Sequence, residues 1–274
     1  MITPMADDVR SLLQDLADEH DALDAVVAPL VDASWDLPTP AQGWRVRDEI
    51  GHLAFFDDRG RLAAEEPDAF VAERDAALQD FRAFEDAAGR LARETTGSAL
   101  LAAWRDARTR CVTAFAAVPD GTRLPWYGPP MSVRSFATAR LMETWAHGQD
   151  VVDALDAVAL PAARAATDRL RHICHIGFST RSWSYTVRGR EAPAGAVRVE
   201  LTLPSGAVWA AGDESAADAV LGSAEDFCLV VTQRRNVADT ALDVSGAAAS
   251  EWMSIAQCFA GAPTLPPEPR ATAR

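Results

Sequence analysis

The sequence predicts an α+β protein of two domains, a helical bundle followed by a smaller mixed domain. Three observations carry that reading. Apolar residues recur every three to four positions through the first half of the chain, the period of a helix with one buried face. Beyond Leu160-Pro161 several stretches switch to strict alternation, the period of a strand. At 274 residues, 49% of them hydrophobic, the chain is long enough for two cores and apolar enough to fill them. The expected bounds are 1–160 for the bundle, 161–262 for the mixed domain and 263–274 for a disordered tail rich in Pro and Arg.

The first helix is read from Val9, Leu12, Leu13, Leu16, His20, Leu23, Val26, Val27 and Leu30, capped by Asp7 or Asp8 and stopped or kinked by Pro29. Leu37 to Gly43 is turn chemistry. A second helix is expected from about Val46 to Leu62, with Asp48 and Glu49 in its first turn, where negative charge suits the helix dipole, and with His52, Phe55, Phe56 and Arg59 on one face. Pro67 opens a helical stretch to about Arg93, and another runs from Ser98 to about Val118. Residues 119–131 read as a long loop holding Trp126 and Tyr127, a setting in which aromatics often line clefts but which does not by itself assign them that role. Ser132 caps a helix that carries Arg140, Glu143, His147 and Asp150 to near Leu155. In the second half the pattern predicts a helix from Ala163 to about Gly177, alternating strands at 183–188 and 197–203, and a hairpin return at 207–210. Helices at 224–234 and 247–259 flank a short strand at 242–244.

Charge narrows the partners. With 40 acidic and 26 basic residues the net charge is −14, and such a surface repels phosphate backbones and anionic lipid headgroups. Neither nucleic acid nor membrane is expected as a partner. The four cysteines (Cys111, Cys174, Cys228, Cys258) are widely spaced in apolar helical patterns and contain no C-x-x-C pair, so free core thiols are expected. Residues 1–10 lack a basic region followed by an apolar one, which favours a cytoplasmic location.

Glu143 and His147 stand i, i+4 on one predicted helix and project side by side. A histidine from another helix completes two imidazoles and a carboxylate, a set that suits zinc or a similar divalent ion and leaves one coordination position open. His52 is the candidate, because it sits in an apolar, Phe-rich context where an unpaired ring costs roughly 1–3 kcal/mol. A single E-x3-H on an amphipathic helix is also common without a metal, and spacing alone leaves both readings open. Asp150 is read either as a support for the His147 ring or as a solvated charge. Asp57 and Asp58 are expected to be exposed, Arg140 to form a surface salt bridge, Trp44 and Trp145 to anchor the core, and His172 and His175 to lie at a helix surface or domain interface.

Taken in order, Thr39-Pro40-x-x-Gly43-Trp44, then Asp48 and His52-Leu53-Ala54, then Glu143-x3-His147 with Asp150, the chain resembles the mycothiol-dependent maleylpyruvate isomerases of the wider DinB-like metal-binding group. Its second half resembles the sterol-carrier-like domain of such proteins, with Gly222 to Arg234 similar to that domain's helix. The resemblance implies a DinB-like four-helix bundle with His52, Glu143 and His147 as metal ligands. It implies mycothiol as a low-molecular-weight thiol cofactor that binds the metal as a thiolate and adds to a small anionic electrophile, in isomerisation or transfer. It also implies an arginine of the second domain that holds the anion, for which Arg234 is best placed. The segment Thr232-Gln233-Arg234-Arg235 lacks the Gly-Arg expected of a true maleylpyruvate isomerase. A hydrolase or lyase that activates water at the open position, and a non-catalytic small-molecule binder, stay open as alternatives.

Overall fold

The computed structural model describes residues 8–161 and 164–270. The chain forms two compact units that divide between Arg164 and Ala165. The first contains α1 (Val9–Val27), α2 (Val46–Glu65), α3 (Pro67–Gln79), α4 (Phe81–Glu94), α5 (Gly97–Ala117) and α6 (Val133–Asp156). Helices α1, α2, α5 and α6 pack as a four-helix bundle, with α3 and α4 against α2. Its core joins Leu23 and Val27 of α1, Ile50 and Leu53 of α2, Leu100 and Trp104 of α5, and Val151 and Leu155 of α6, with Trp35 from the first connection.

The caps explain the boundaries. Asp8 accepts from the Ser11 N–H to start α1, which ends just ahead of Pro29. The Asp48 carboxylate accepts from the Arg45 N–H at 2.9 Å and starts α2, and Ser132 caps α6 through the Ser135 N–H. Two readings need correction here. The stretch from Pro67 is two helices, because Asp80 (φ −137°, ψ 78°) leaves helical geometry between them. The loop at 119–131 contains a two-residue antiparallel ladder, β1 (Arg123–Leu124) with β2 (Met131–Ser132), too short for periodicity to show.

The second unit is a four-stranded sheet in the order β4-β3-β5-β6, made of β3 (Val197–Thr202), β4 (Val208–Ala211), β5 (Asp218–Ser223) and β6 (Asp243–Ser245). Only β3 and β5 pair in parallel; the other pairs are antiparallel. Val199, aligned with Ala211 and Val220, marks the buried face. The helices of this unit are α7 (Leu170–Ser179), α8 (Arg181–Thr186), α9 (Ala224–Val231) and α10 (Ala247–Ile255), and Phe178, Phe227, Trp209 and Trp252 meet edge to face.

Several expectations fail in this unit. Residues 183–188, read as a strand from Trp-Ser-Tyr-Thr alternation, lie mostly in α8. There the helix buries Tyr185 completely and lets Ser184 Oγ bond both the carbonyl and the N–H of Gln257, a tertiary gain that overrides β propensity. The helix expected from Ala163 begins at Leu170; Ala163 itself lies outside the described residues. Strand β5 escaped notice because Gly222 and a single buried Val220 give it no alternation. The expected disordered tail is partly tied down: Thr264 bonds Gln257, the Pro267 carbonyl accepts from Asn236 Nδ2, and the Arg270 N–H donates to Asp239. Residues 271–274 lie outside the described residues. All four cysteines are free and buried.

Candidate metal centre

Helices α2 and α6 bring His52, Glu143 and His147 together. The Nε2 atoms of His52 and His147 lie 3.3 and 3.2 Å from the same Glu143 oxygen, Oε2. Ligands about 2.1 Å from a tetrahedral ion stand roughly 3.0–3.5 Å apart, so these separations match the edges of a coordination shell. The side chains keep access to solvent, 23% exposed at His52 and Glu143 and 13% at His147.

Behind His147 lies a second carboxylate. Glu49, fully buried, accepts from His147 Nδ1–H at 2.6 Å, and its other oxygen accepts from the Thr39 hydroxyl at 2.6 Å. Asp150 is buried in the same neighbourhood, grouped with Glu49 and His147, which settles its position against the solvated reading. Two aromatic rings flank the imidazoles. Trp44 stacks on His147 (centroids 5.7 Å, 14° between planes) and tilts on His52 at 5.4 Å, while Phe56 tilts on His52 at 4.6 Å. Trp44 is therefore only half-buried and belongs to the site, not the core. From Phe56 the aromatic wall continues to Trp126 and Tyr127, which pack on the buried Phe70.

The electrostatics follow from this packing. Burial pushes His52 down to about 4, helped by the neighbouring charge of His147. Burial also disfavours charge on His147, but its hydrogen bonds to Glu143 and Glu49 prevail and raise it to about 9. Burial acts against ionisation of Glu143 too, and the bonds from the two imidazoles outweigh it and hold the carboxyl well below its usual range. Three carboxylates thus surround two imidazoles, an excess of negative charge that favours a cation. The ring nitrogens are borderline ligands and the carboxylate a hard one, the mixture found around zinc.

Other expected residues fall differently. Asp57, expected on the surface, is fully buried and accepts from Arg140 Nε at 2.9 Å, so the Arg140 pair is an interior one. Asp58 is part-exposed and pairs with Arg59 and Arg61. His172 is buried in α7, whereas His175 is exposed. Arg234 lies in the second unit just past α9, where its NH1 donates to the Thr232 carbonyl at 2.7 Å. The sequence reading missed Glu49 as a partner of His147. Its only local signal was an acid in the first turn of α2, which the dipole already explains.

The sequence profile described as the mycothiol maleylpyruvate isomerase N-terminal domain matches residues 16–152, half of the chain and the whole span that carries the three candidate ligands. The chain belongs to this family. Two uncharacterized proteins of Mycobacterium tuberculosis, Rv0036c of strain H37Rv and MT0041 of strain CDC 1551, are each 44% identical to it over 256 residues, which cover 93% of this chain and 98% of theirs. Crystal structures of a mycothiol-dependent maleylpyruvate isomerase and of a histidine-to-alanine mutant of it share the fold. The first matches with a TM-score of 0.53 at 13% identity, over 87% of this chain and 93% of that one. The mutant matches with the same score and identity, over 83% and 90%. At that identity the likeness concerns the fold alone, a four-helix bundle and a smaller α+β unit.

Proposed function

We propose that this family member is a divalent-metal-dependent enzyme that uses a low-molecular-weight thiol, mycothiol, to isomerise or transfer onto a small anionic electrophile. The convergence of two imidazole nitrogens on one carboxylate oxygen, at 3.2 and 3.3 Å, carries the reading. His52, Glu143 and His147 hold the ion, and zinc suits the set while keeping one position open. When bound, the ion supplies Lewis acidity that lowers the pKa of a ligated thiol, so the thiol is a strong nucleophile near neutral pH. Glu143 contributes the charge that offsets the cation. The partial exposure of His52 and Glu143 leaves the trio reachable, and Trp44 and Phe56 present apolar rings that exclude water beside the imidazoles. Arg234, from the second unit, is the proposed holder of the substrate anion, since a guanidinium fork matches a carboxylate.

Metal analysis of the purified protein should find about one equivalent of zinc or a related ion, and His147→Ala should lose most of it. Calorimetry of the metal-loaded protein should then detect mycothiol binding, and Arg234→Lys should raise KM for the anionic substrate more than it lowers kcat. Full metal retention in His147→Ala would remove the ligand assignment. Metal without mycothiol binding would move the reading to a hydrolase or lyase that activates water at the same position.

A further inference from the structure

We propose that Thr39 and Glu49 form a positioning relay that turns the Nε2 atom of His147 toward the cation, and that the Thr39–Trp44 turn builds it. The inference rests on the metal reading above but concerns residues that reading leaves without a role. A buried carboxylate needs donors for both oxygens, because each oxygen left bare costs about 1–3 kcal/mol. Glu49 is fully buried and has one such donor on each oxygen, Thr39 Oγ1 on Oε1 and His147 Nδ1 on Oε2, both at 2.6 Å. A nitrogen that donates to a carboxylate carries the proton, so the lone pair of His147 resides on Nε2 once a cation replaces the proton there.

The distances separate the inner from the outer carboxylate. Glu143 Oε2 lies 3.2 Å from His147 Nε2, within the roughly 3.0–3.5 Å spacing of ligands on one ion. Glu49 Oε2 lies 2.6 Å from Nδ1, too close for two ligands of a common ion and right for a strong, charge-assisted hydrogen bond. The grouping of Glu49, His147 and Asp150 is therefore an outer shell rather than a second cation site.

The turn supplies both constraints on the ring. The Thr39 N–H donates to the Trp44 carbonyl at 2.9 Å, and Gly43 takes the left-handed conformation (φ +81°) that closes the loop. Closure sets the Thr39 hydroxyl on Glu49 at one end and the Trp44 indole flat on His147 at the other. The hydrogen bond fixes rotation within the ring plane, and the stack fixes the plane. Thr39, Glu49 and His147 come from the turn, α2 and α6, so only the packed bundle assembles the relay.

Zinc affinity of the full-length protein, read by chelator competition at fixed pH, tests this. Glu49→Leu, which removes both acceptors at similar volume, should weaken zinc roughly 10–100-fold, and Glu49→Gln, which keeps an acceptor without the charge, should weaken it less. Thr39→Val should weaken it in the same direction and Thr39→Ser should restore it. A purely structural role would lower thermal stability in these variants and leave zinc affinity alone. A long-range proton–nitrogen spectrum of the zinc-loaded wild-type protein gives a readout independent of any variant's folding: His147 should show a protonated Nδ1 and a zinc-bound Nε2. Wild-type zinc affinity in Glu49→Leu, or zinc on Nδ1, would overturn the relay. If His147→Ala also kept wild-type affinity, the failure would belong to the ligand assignment instead.

Discussion

At the centre of the bundle four helices each contribute one polar residue, His20 from α1, Asp57 from α2, Trp104 from α5 and Arg140 from α6. Asp57 accepts from Arg140 Nε on Oδ1 at 2.9 Å and from Trp104 Nε1 on Oδ2 at 3.2 Å, while His20 Nε2 stands 3.7 Å from the same Oδ2. An interior carboxylate and guanidinium are each expensive to bury alone and tolerable as a hydrogen-bonded pair. His20 joins them as a neutral ring. Burial lowers its pKa from 6.5 to about 4, and the attraction of Asp57 and Asp21 does not overcome burial together with Arg108 and Arg140. Between about 4 and 6.5 the unfolded chain therefore binds the proton that the folded chain refuses. Stability falls as pH drops through that window and is unaffected by this group above it. A shift of that size amounts to about 3 kcal/mol by pH 4. Denaturant unfolding of wild type and His20→Gln from pH 7.5 to 4.5 should show a shallower acid loss in the variant. Parallel curves would show that His20 does not carry the acid sensitivity.

Helix α5 shows how close packing reverses a propensity argument. Gly97 opens the helix behind the Thr96 cap, where alanine would ordinarily be the better helix former by up to about 1 kcal/mol. A Cβ at Gly97 would lie 2.3 Å from the indole of Trp35, a ring only 2% exposed and wedged into the core of the bundle. That ring has nowhere to retreat, so the clash outweighs the propensity. Gly97→Ala should cost about 1–3 kcal/mol in chemical denaturation, whereas Ser98→Ala on the exposed side of the same turn should change little. Equal stabilities for the two variants would mean that the bundle yields at Trp35.

For the whole molecule, the division at Arg164 places every proposed metal-binding and positioning residue in the first unit, which has its own core. Arg234, the proposed anion holder, lies in the second unit. A fragment of residues 1–164 should therefore fold, judged by cooperative thermal melting, and bind zinc as tightly as the full chain while lacking thiol-dependent turnover. Loss of zinc binding in a folded fragment would show that the second unit completes the metal site. Among the described residues no helix is long and apolar enough to cross a membrane.

The family is legible in the ordered motifs, and the long helices of the bundle in 3.6-residue periodicity, side-chain caps and i, i+4 pairs, which are local properties of the chain. Glu143 and His147 could be paired on paper for that reason. His52 joins them through its apolar, Phe-rich setting and the ordered motifs, since its distance from them in the chain leaves no local pairing signal. Tertiary structure decided the rest. The break at Asp80, the helical state of residues 181–186 and the central strand β5 depend on what each segment packs against, which outweighs weak or misleading propensity. It moved Asp57 and Arg140 from an expected surface to the interior, and Trp44 from an expected core to the side of two imidazoles. It also gave Glu49 a partner on a different helix. A carboxylate in the first turn of a helix looks the same in sequence whether it faces water or a buried imidazole, and only the packing of α2 against α6 distinguishes the two.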